Sequence, residues 1–374
     1  MVSKLPADRR DAAKPGFTTR RVPPAAMQTL LSGALRPRSG DLVLAVVERL
    51  GQHTRVELPT GRKARLMVGD EIIVTYADRY APDQYESHVP RHLGITELVA
   101  SGGIASHVLS KSSAVRSATR LRPIGLIGDE NGRALNVADF ALKPVTPVLD
   151  RPPVIAVIGT SMNSGKTTTI THLAHGLHLA GKQPGVTKVT GTGSGNDFWV
   201  QVDAGAHRML DFTDAGFAST YRVPMHHVER IFSELLDHLA ASQSGAILVE
   251  VADGLYQQET AQLIDSPVFR EAVDGVIFAA GEAMGAAQGV SHLRSMGLPV
   301  FAVSGRLTSS PLATREAKVA CELPVLTLDE LHTPEHALRI LAGARSGDVK
   351  RRRTPAGREA HPLTPLFPVE AHAS

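Results

Sequence analysis

The chain has 374 residues, enough for two or three domains with a sizeable core. Hydrophobic residues make up 43 % and charged residues 21 %, which excludes a disordered or fibrous chain, and a net charge of +3 does not mark a nucleic-acid binder. The single cysteine, Cys321, excludes an internal disulfide and predicts a reducing, cytoplasmic setting; no stretch reaches the ~20 apolar residues of a membrane span, and residues 1–14 carry no apolar signal core.

Residues 1–36 read as an N-terminal extension with one short helix at 25–35, after Pro23-Pro24. From Gly40 the texture changes. The stretches 41–48, 54–58, 63–67 and 71–75 are short apolar or alternating runs, divided by turn signals at Gly51-Gln52, Pro59-Thr60-Gly61 and Gly69-Asp70. Such closely spaced strands predict a small barrel or sandwich. Ser101-Gly102-Gly103 reads as a flexible loop. A further hairpin is predicted from 121–127, a turn at 128–132 and a return strand at 134–140. Residues 37–143 thus form one predicted β-rich, barrel-like domain, and the prolines of 144–153 predict a linker.

From 154 to 346 the rhythm becomes strand, helix, strand. Strands are predicted at 154–158, 186–189, 246–251, 275–279 and 299–303, with a short last one at 324–326; helices are predicted at 166–180, 228–241 and 286–296. This alternation predicts an α/β domain with a mostly parallel sheet. Residues 347–374, including the basic run 350–353, read as a disordered tail whose charges face water.

The stretch 159–168 reads GTSMNSGKTT and lies between a buried strand and a helix. A phosphate cradle requires this order, because glycines let successive backbone N–H groups turn inward and the helix N-terminus adds partial positive charge. This is a P-loop, or Walker A, pattern. It predicts phosphate contacts from Gly159, Thr160, Asn163, Ser164, Gly165, Lys166, Thr167 and Thr168. Lys166 would reach the β- and γ-phosphates, and the Thr167 hydroxyl would ligate Mg²⁺.

Five residues separate Gly159 from Gly165, one more than the usual spacing. With Thr160 after the first glycine, the loop resembles the P-loop NTPase branch of dethiobiotin synthetase and the cobyrinic acid amide synthases, which reads G-T-x-x-x-x-G-K-[ST]. Two other segments carry the resemblance. Thr187-Lys188-Val189-Thr190-Gly191-Thr192 is similar to the branch's Lys-Pro-x-x-x-Gly element, with valine for proline. Val249-Glu250-Val251-Ala252-Asp253-Gly254-Leu255 is similar to V-E-G-A-G-G-L, with Asp253 in place of a glycine. The resemblance spans 154–326. It implies ATP and Mg²⁺ as cofactors, Lys166 and Lys188 as catalytic cations, and Glu250 as a metal ligand. Open α/β sheets bind ligands beyond the carboxyl ends of their strands, where Lys166, Lys188 and Glu250 all fall.

Residues 191–199 are too glycine-rich to predict regular structure and suit a mobile lid or an anion nest. Asp197, Asp211 and Asp214 are candidates for binding the metal or orienting a nucleophile, the last two on one face if their segment is helical. The TG-x-TG-like segment, the acidic Asp211-Phe212 element and Glu250 also resemble a bacterial P-loop family linked to D-glutamate N-acetylation. His172, His175 and His178, three apart on a helix, and His226-His227 lack the ligand set of a zinc cage and read as packing or surface residues. Val303-Ser304-Gly305-Arg306 stands where guanine-specific proteins carry Asn-Lys-x-Asp, which favours ATP over GTP, although the branch's adenine-reading asparagine is missing too.

Three functions follow as expectations: an ATP- and Mg²⁺-dependent, ligase-like enzyme that phosphorylates a small anionic carboxylate; a nucleotide-hydrolysing switch or maturation factor; and an acyl transferase that holds coenzyme A phosphates in the P-loop. The expected partner is a small molecule, with no nucleic acid and no membrane, and a homodimer is left open.

Overall fold

Among the described residues of this computed structural model, 1–148 and 150–345, the alternating runs of the first half build a ten-stranded sheet. The basic tail expected from 347, with its run at 350–353, lies outside the described residues. Leu42–Arg49 pairs antiparallel with Glu71–Tyr76, which runs parallel to Ile104–Lys111. Ile104–Lys111 pairs with Thr96–Ala100, Thr96–Ala100 with Thr119–Gly128, and Thr119–Gly128 back with Leu42–Arg49. These pairings close a circuit of five strands. Arg55–Glu57 and Lys63–Arg65 form a separate two-stranded ladder. Val43, Ala45 and Val47 pack on one side with Val74, Leu98 and Leu121, while Leu42 and Leu44 pack on the other with Leu5, Val22 and Met27. Residues near the N-terminus therefore cover a face that would otherwise meet water.

Those residues also lengthen the sheet. Val2–Lys4 pairs with Thr29–Leu31, which pairs with the end of Thr119–Gly128. The helix expected at 25–35 is not there: Pro24–Ala26 is one 3-10 turn and Thr29–Leu31 is extended. Strand partners on both sides override a weak local preference for helix. The return strand expected at 134–140 is replaced as well. Ala134 makes a single bridge to Gly128 and Asn136 one to Asp41, and Val137–Phe140 is a 3-10 turn. Asn136 and Asp139 nucleate that turn, the Asn136 side chain accepting from the Ala138 N–H and the Asp139 carboxylate from the Asn136 N–H.

The second half is a six-stranded, fully parallel sheet. Its order is Arg208–Asp211, Pro184–Lys188, Ala246–Glu250, Val154–Gly159, Gly275–Ala279, Val300–Ser304. The central strand Val154–Gly159 is apolar throughout because both its faces are covered. Val154, Ala156 and Ile158 pack with Phe232, Phe269 and Leu293; Ile155 and Val157 meet Ile170, Leu173 and Leu177 of helix Lys166–Leu179. The expected strand at 324–326 is a single bridge between Val325 and Val303. The chain fills one edge of the sheet before crossing to the other, so the order reverses beside Val154–Gly159, the position at which such sheets open a crevice. No helix among the described residues is long and apolar enough to cross a membrane.

A buried ion pair joins the halves. Arg20 Nη2 donates to Asp211 Oδ1 at 3.0 Å and to Asp214 Oδ2 at 2.6 Å, and Arg21 Nη1 reaches Asp214 Oδ1 at 3.3 Å. The Arg20 guanidinium also lies over the rings of Phe17 and Phe198, at 4.3 and 4.8 Å from their centroids. The segment after Arg208–Asp211 is a turn, not the helix considered for it: Asp211 Oδ1 accepts from the Thr213 N–H at 2.7 Å, and the Asp214 N–H donates to the Asp211 carbonyl. Replacing Arg20 with methionine leaves two buried carboxylates short of a cation, which costs about 3–5 kcal/mol. Urea unfolding should show a lowered midpoint; a loss below about 1 kcal/mol would mean that the pair is not what holds the halves together.

Candidate functional site

The P-loop strand ends at Gly159, and helix Lys166–Leu179 begins immediately after Gly165. Gly165 has φ +100°, and a Cβ there would lie 2.8 Å from the Arg306 nitrogen, so only glycine fits. Asn163 also has positive φ, +63°. The Ser164 carbonyl accepts from the Arg306 N–H at 2.8 Å, which fixes the loop to the turn that follows Val300–Ser304, two strands away. Lys166 is buried and folds back over the loop, its Nζ donating to the Ser161 carbonyl at 2.8 Å. Burial pulls its ammonium below the usual lysine value, against the attraction of Glu250 and Asp253.

Lys188 and Glu250 close adjacent strands and are paired in register, so their side chains meet the loop from one side. Thr167 Oγ1 donates to Glu250 Oε1 at 3.0 Å. Lys188 is ion-paired with Asp197. Burial lowers the Lys188 ammonium, but Asp197 and Glu250 outweigh it and the net shift is upward. Burial pushes the Glu250 carboxyl above the usual range against the pull of Lys188, and pushes the nearby Asp253 carboxyl up in the same way. Asp197 lies on helix Gly195–Asp203, so the segment expected to be irregular turns helical at Gly195, with Ser194 as its cap.

These groups line one cavity of about 480 Å³. Asn163, Gly165, Lys166, Thr167 and Thr168 form its floor, with Lys188, Asp197, Glu250 and Asp253 beside them. Gly159, Thr160 and Ser164 are not among its lining residues; the Thr160 N–H is bound by the Ala279 carbonyl, and Ser164 is buried. Asp211 and Asp214 do not line the cavity and are held by Arg20 and Arg21. A second cavity of about 490 Å³ flanks the loop on its other side, between Asn163, Gly165 and Thr168 and the residues Arg306, Leu328 and Asp329.

The opposite wall of the first cavity comes from the first half of the chain. Arg79, Gln84, His53, Ser101 and Gly102 line it. Arg79–Tyr80 and Tyr85–His88 form a hairpin whose turn carries Pro82-Asp83. Asp83 Oδ2 accepts from Asn163 Nδ2 at 2.9 Å, so the hairpin tip holds the P-loop directly. Gly102 approaches Gly193 so closely that a Cβ on it would lie 2.0 Å from the Gly193 carbonyl oxygen. The flexible loop expected at 101–103 is thus a packed turn. Sequence reasoning did not single out Arg79, His53 or Asp83, and the Pro82-Asp83 turn signal was the only local trace of the hairpin. The helical histidines pack as expected. His175 stacks on His332 at 4.3 Å, and His172 Nδ1 lies 3.1 Å from the Leu328 carbonyl oxygen.

The oxygens of Thr167 and Glu250, hydrogen-bonded to each other at the loop, are hard donors of the type Mg²⁺ takes alongside phosphate and water. Among the described residues there is no group of three or more His, Cys, Asp or Glu side chains placed to hold a metal by themselves.

A parallel sheet whose central strand leads through Gly159–Thr168 into a helix is a P-loop NTPase fold. No family model matches the chain, and no curated protein matches it. Among solved structures it is similar to chloroplast FtsY from Physcomitrella patens, with TM-score 0.37 and 14 % identity over 56 % of this chain and 70 % of that one. It is also similar to the signal recognition particle 54 kDa protein from Aeropyrum pernix K1 in complex with GDP, with TM-score 0.37 and 16 % identity over 57 % of this chain and 52 % of the other. Signal recognition particle receptor FtsY from Elizabethkingia anophelis matches with TM-score 0.31 and 14 % identity, over 57 % and 65 %.

His53 gives the site a measurable acid response. Its Nε2 lies 2.8 Å from the Val99 carbonyl oxygen, which can only accept, so Nε2 carries the proton of a neutral ring. Burial, helped by Arg79, pushes the imidazole down from 6.5 to about 4. Folded His53 therefore stays neutral over a range in which the unfolded chain is already protonated. The stability it contributes is complete above pH 6.5 and is lost as pH falls towards about 4. His53→Gln should lose less stability than the wild type between neutral pH and pH 5, measured by urea unfolding at both; equal losses would place the acid sensitivity elsewhere.

Proposed function

We propose that this chain is an enzyme that binds Mg²⁺-ATP in the P-loop and transfers the γ-phosphoryl group to a small carboxylate seated in the same cavity. The carrying observation is that both halves of the chain line that cavity. Lys166, Thr167, Lys188 and Glu250 stand on one wall and Arg79, His53 and the Ser101-Gly102 turn on the other, with about 480 Å³ between them. A switch protein offers its γ-phosphate site to a macromolecular partner, whereas here the chain's own first half covers it. That favours a small acceptor over a partner protein.

In this reading Lys166 leaves the Ser161 carbonyl to meet the β- and γ-phosphates, and Lys188 faces the transferring group. Thr167 and Glu250 would hold Mg²⁺, which supplies charge neutralisation to the phosphates. A carboxylate oxygen attacks the γ-phosphorus as the bond to the β,γ-bridging oxygen breaks; the products are an acyl phosphate and ADP. The buried lysines stabilise the charge gathering on the bridging oxygen, in a site with little water to compete. The cavity beside Arg306 and Asp329 suits the nucleoside, and the absence of Asn-Lys-x-Asp at Val303–Arg306 supports adenine over guanine.

One observation favours a second reading. Asp197 is ion-paired with Lys188, which leaves Glu250 as the acidic group hydrogen-bonded to Thr167. A carboxylate set this thin suits phosphates that need no metal, such as those of coenzyme A in an acyl transfer. Titration with acetyl-coenzyme A and with Mg²⁺-ATP, each as competitor of the other, separates the two.

Lys166→Ala should weaken ATP binding by about tenfold to a hundredfold, the size expected for charged hydrogen bonds. Thermal stability should hold, because the substitution removes a buried charge. The wild type should release ADP faster when the right carboxylic acid is added. A rate indifferent to every acid, together with binding unaffected by Lys166→Ala, would sink the proposal.

A further inference from the structure

The wall opposite the P-loop carries a buried cation of its own. Arg79 is 6 % exposed and lines the cavity. Its Nη2 donates to Gln84 Oε1 at 3.1 Å, while Nε and Nη1 are buried without any hydrogen-bond partner. Most buried polar nitrogens in folded proteins are satisfied, and an unsatisfied guanidinium is among the costliest exceptions. Asp83 and Asp253 are near enough to favour the charge, but neither forms an ion pair with Arg79, and Asp83 is bound to Asn163. Burial draws the guanidinium down to about 10, so it stays charged at neutral pH.

Its neighbours on this wall are uncharged. Ser101, Gly102 and Gln84 are neutral, and His53 is held neutral by burial. The arginine is therefore the one full charge among these residues, lining the cavity that Lys166 and Lys188 also line. A planar guanidinium with free nitrogens matches a planar carboxylate, which accepts two parallel N–H bonds. The close approach of Gly102 to Gly193 limits the ligand to a small one.

We infer that Arg79 is the recognition residue for the carboxylate of a small acid that shares the cavity with the nucleotide. This rests on the reading of the P-loop as the nucleotide site and adds which residue of the first half selects the second ligand. The alternative source of an oxyanion is the nucleotide's terminal phosphate, and the test separates the two.

The full chain is titrated calorimetrically with acetate, malonate and succinate, and with the neutral succinamide, in the presence of Mg²⁺ and a non-hydrolysable ATP analogue. At least one acid should bind the wild type, and succinamide should not. Arg79→Gln should weaken that acid by about tenfold to a hundredfold while the analogue's affinity stays within about threefold. Arg79→Lys keeps the charge without the fork and should fall between them; it decides the matter if the glutamine variant does not fold. Three results overturn the inference: no acid binds the wild type, the acids bind Arg79→Gln as before, or the analogue loses affinity in step with the acids. Lys166→Ala, titrated with the acid alone and with the analogue alone, should keep the acid and bind the analogue about tenfold to a hundredfold more weakly. Wild-type acid binding through Arg79 with no analogue binding would defeat the P-loop reading and leave this one standing.

Discussion

Arg20 carries its charge into the protein interior and keeps it there because Asp211, Asp214 and two aromatic rings surround it. Burial alone would draw the guanidinium down, but the two carboxylates outweigh it and hold the group more firmly protonated than usual. The contact ties the first sheet to the end of an edge strand of the second, and one of the rings, Phe198, sits on the helix that also bears Asp197. Positioning therefore runs from Arg20 through Phe198 to Asp197 and on to Lys188. The Gly102 turn lies against Gly193 across the same joint, which Glu57 also spans by accepting from the Gly195 N–H.

Charge inside the cavity is balanced in pieces. Lys188 is neutralised by Asp197, and Lys166 is drawn to Glu250 and Asp253, while Arg79 is favoured by Asp83 and Asp253 without an ion pair to either. Burial pushes Glu250 and Asp253 towards their neutral forms, so these carboxyls hold their protons more tightly than solvent-exposed acids would. The balance is local on the P-loop wall and incomplete on the opposite one. That asymmetry gives the two walls different tasks.

The P-loop was readable because strand, loop and helix are contiguous, and its chemistry demands glycine, lysine and threonine at fixed offsets. Glu250 was readable because it closes an apolar run, and Lys188 because Thr187–Thr192 resembles the Lys-Pro-x-x-x-Gly element. Nothing comparable announces Arg79. It is one arginine in a two-residue strand, and what sets it apart is a fold that brings its hairpin to Asn163. The glycines of 191–195 hid the start of helix Gly195–Asp203, because a cap at Ser194 acts through geometry that composition does not record. The strands at 2–4 and 29–31 were missed for a related reason: each is three residues long and takes its shape from partners far away in sequence.

The hydrogen bond from Asn163 to Asp83 has a thermodynamic consequence. It makes the phosphate loop and the hairpin of the first sheet report on one another. A ligand that touches both walls binds the docked arrangement and not a separated one, so mass action adds its binding free energy to the cohesion of the halves, about 2.7 kcal/mol at a hundredfold excess over Kd. The two sheets, which could otherwise melt as separate units, would then unfold in a single transition. Occupancy of the cavity thus sets whether the chain behaves thermally as one cooperative body or as two.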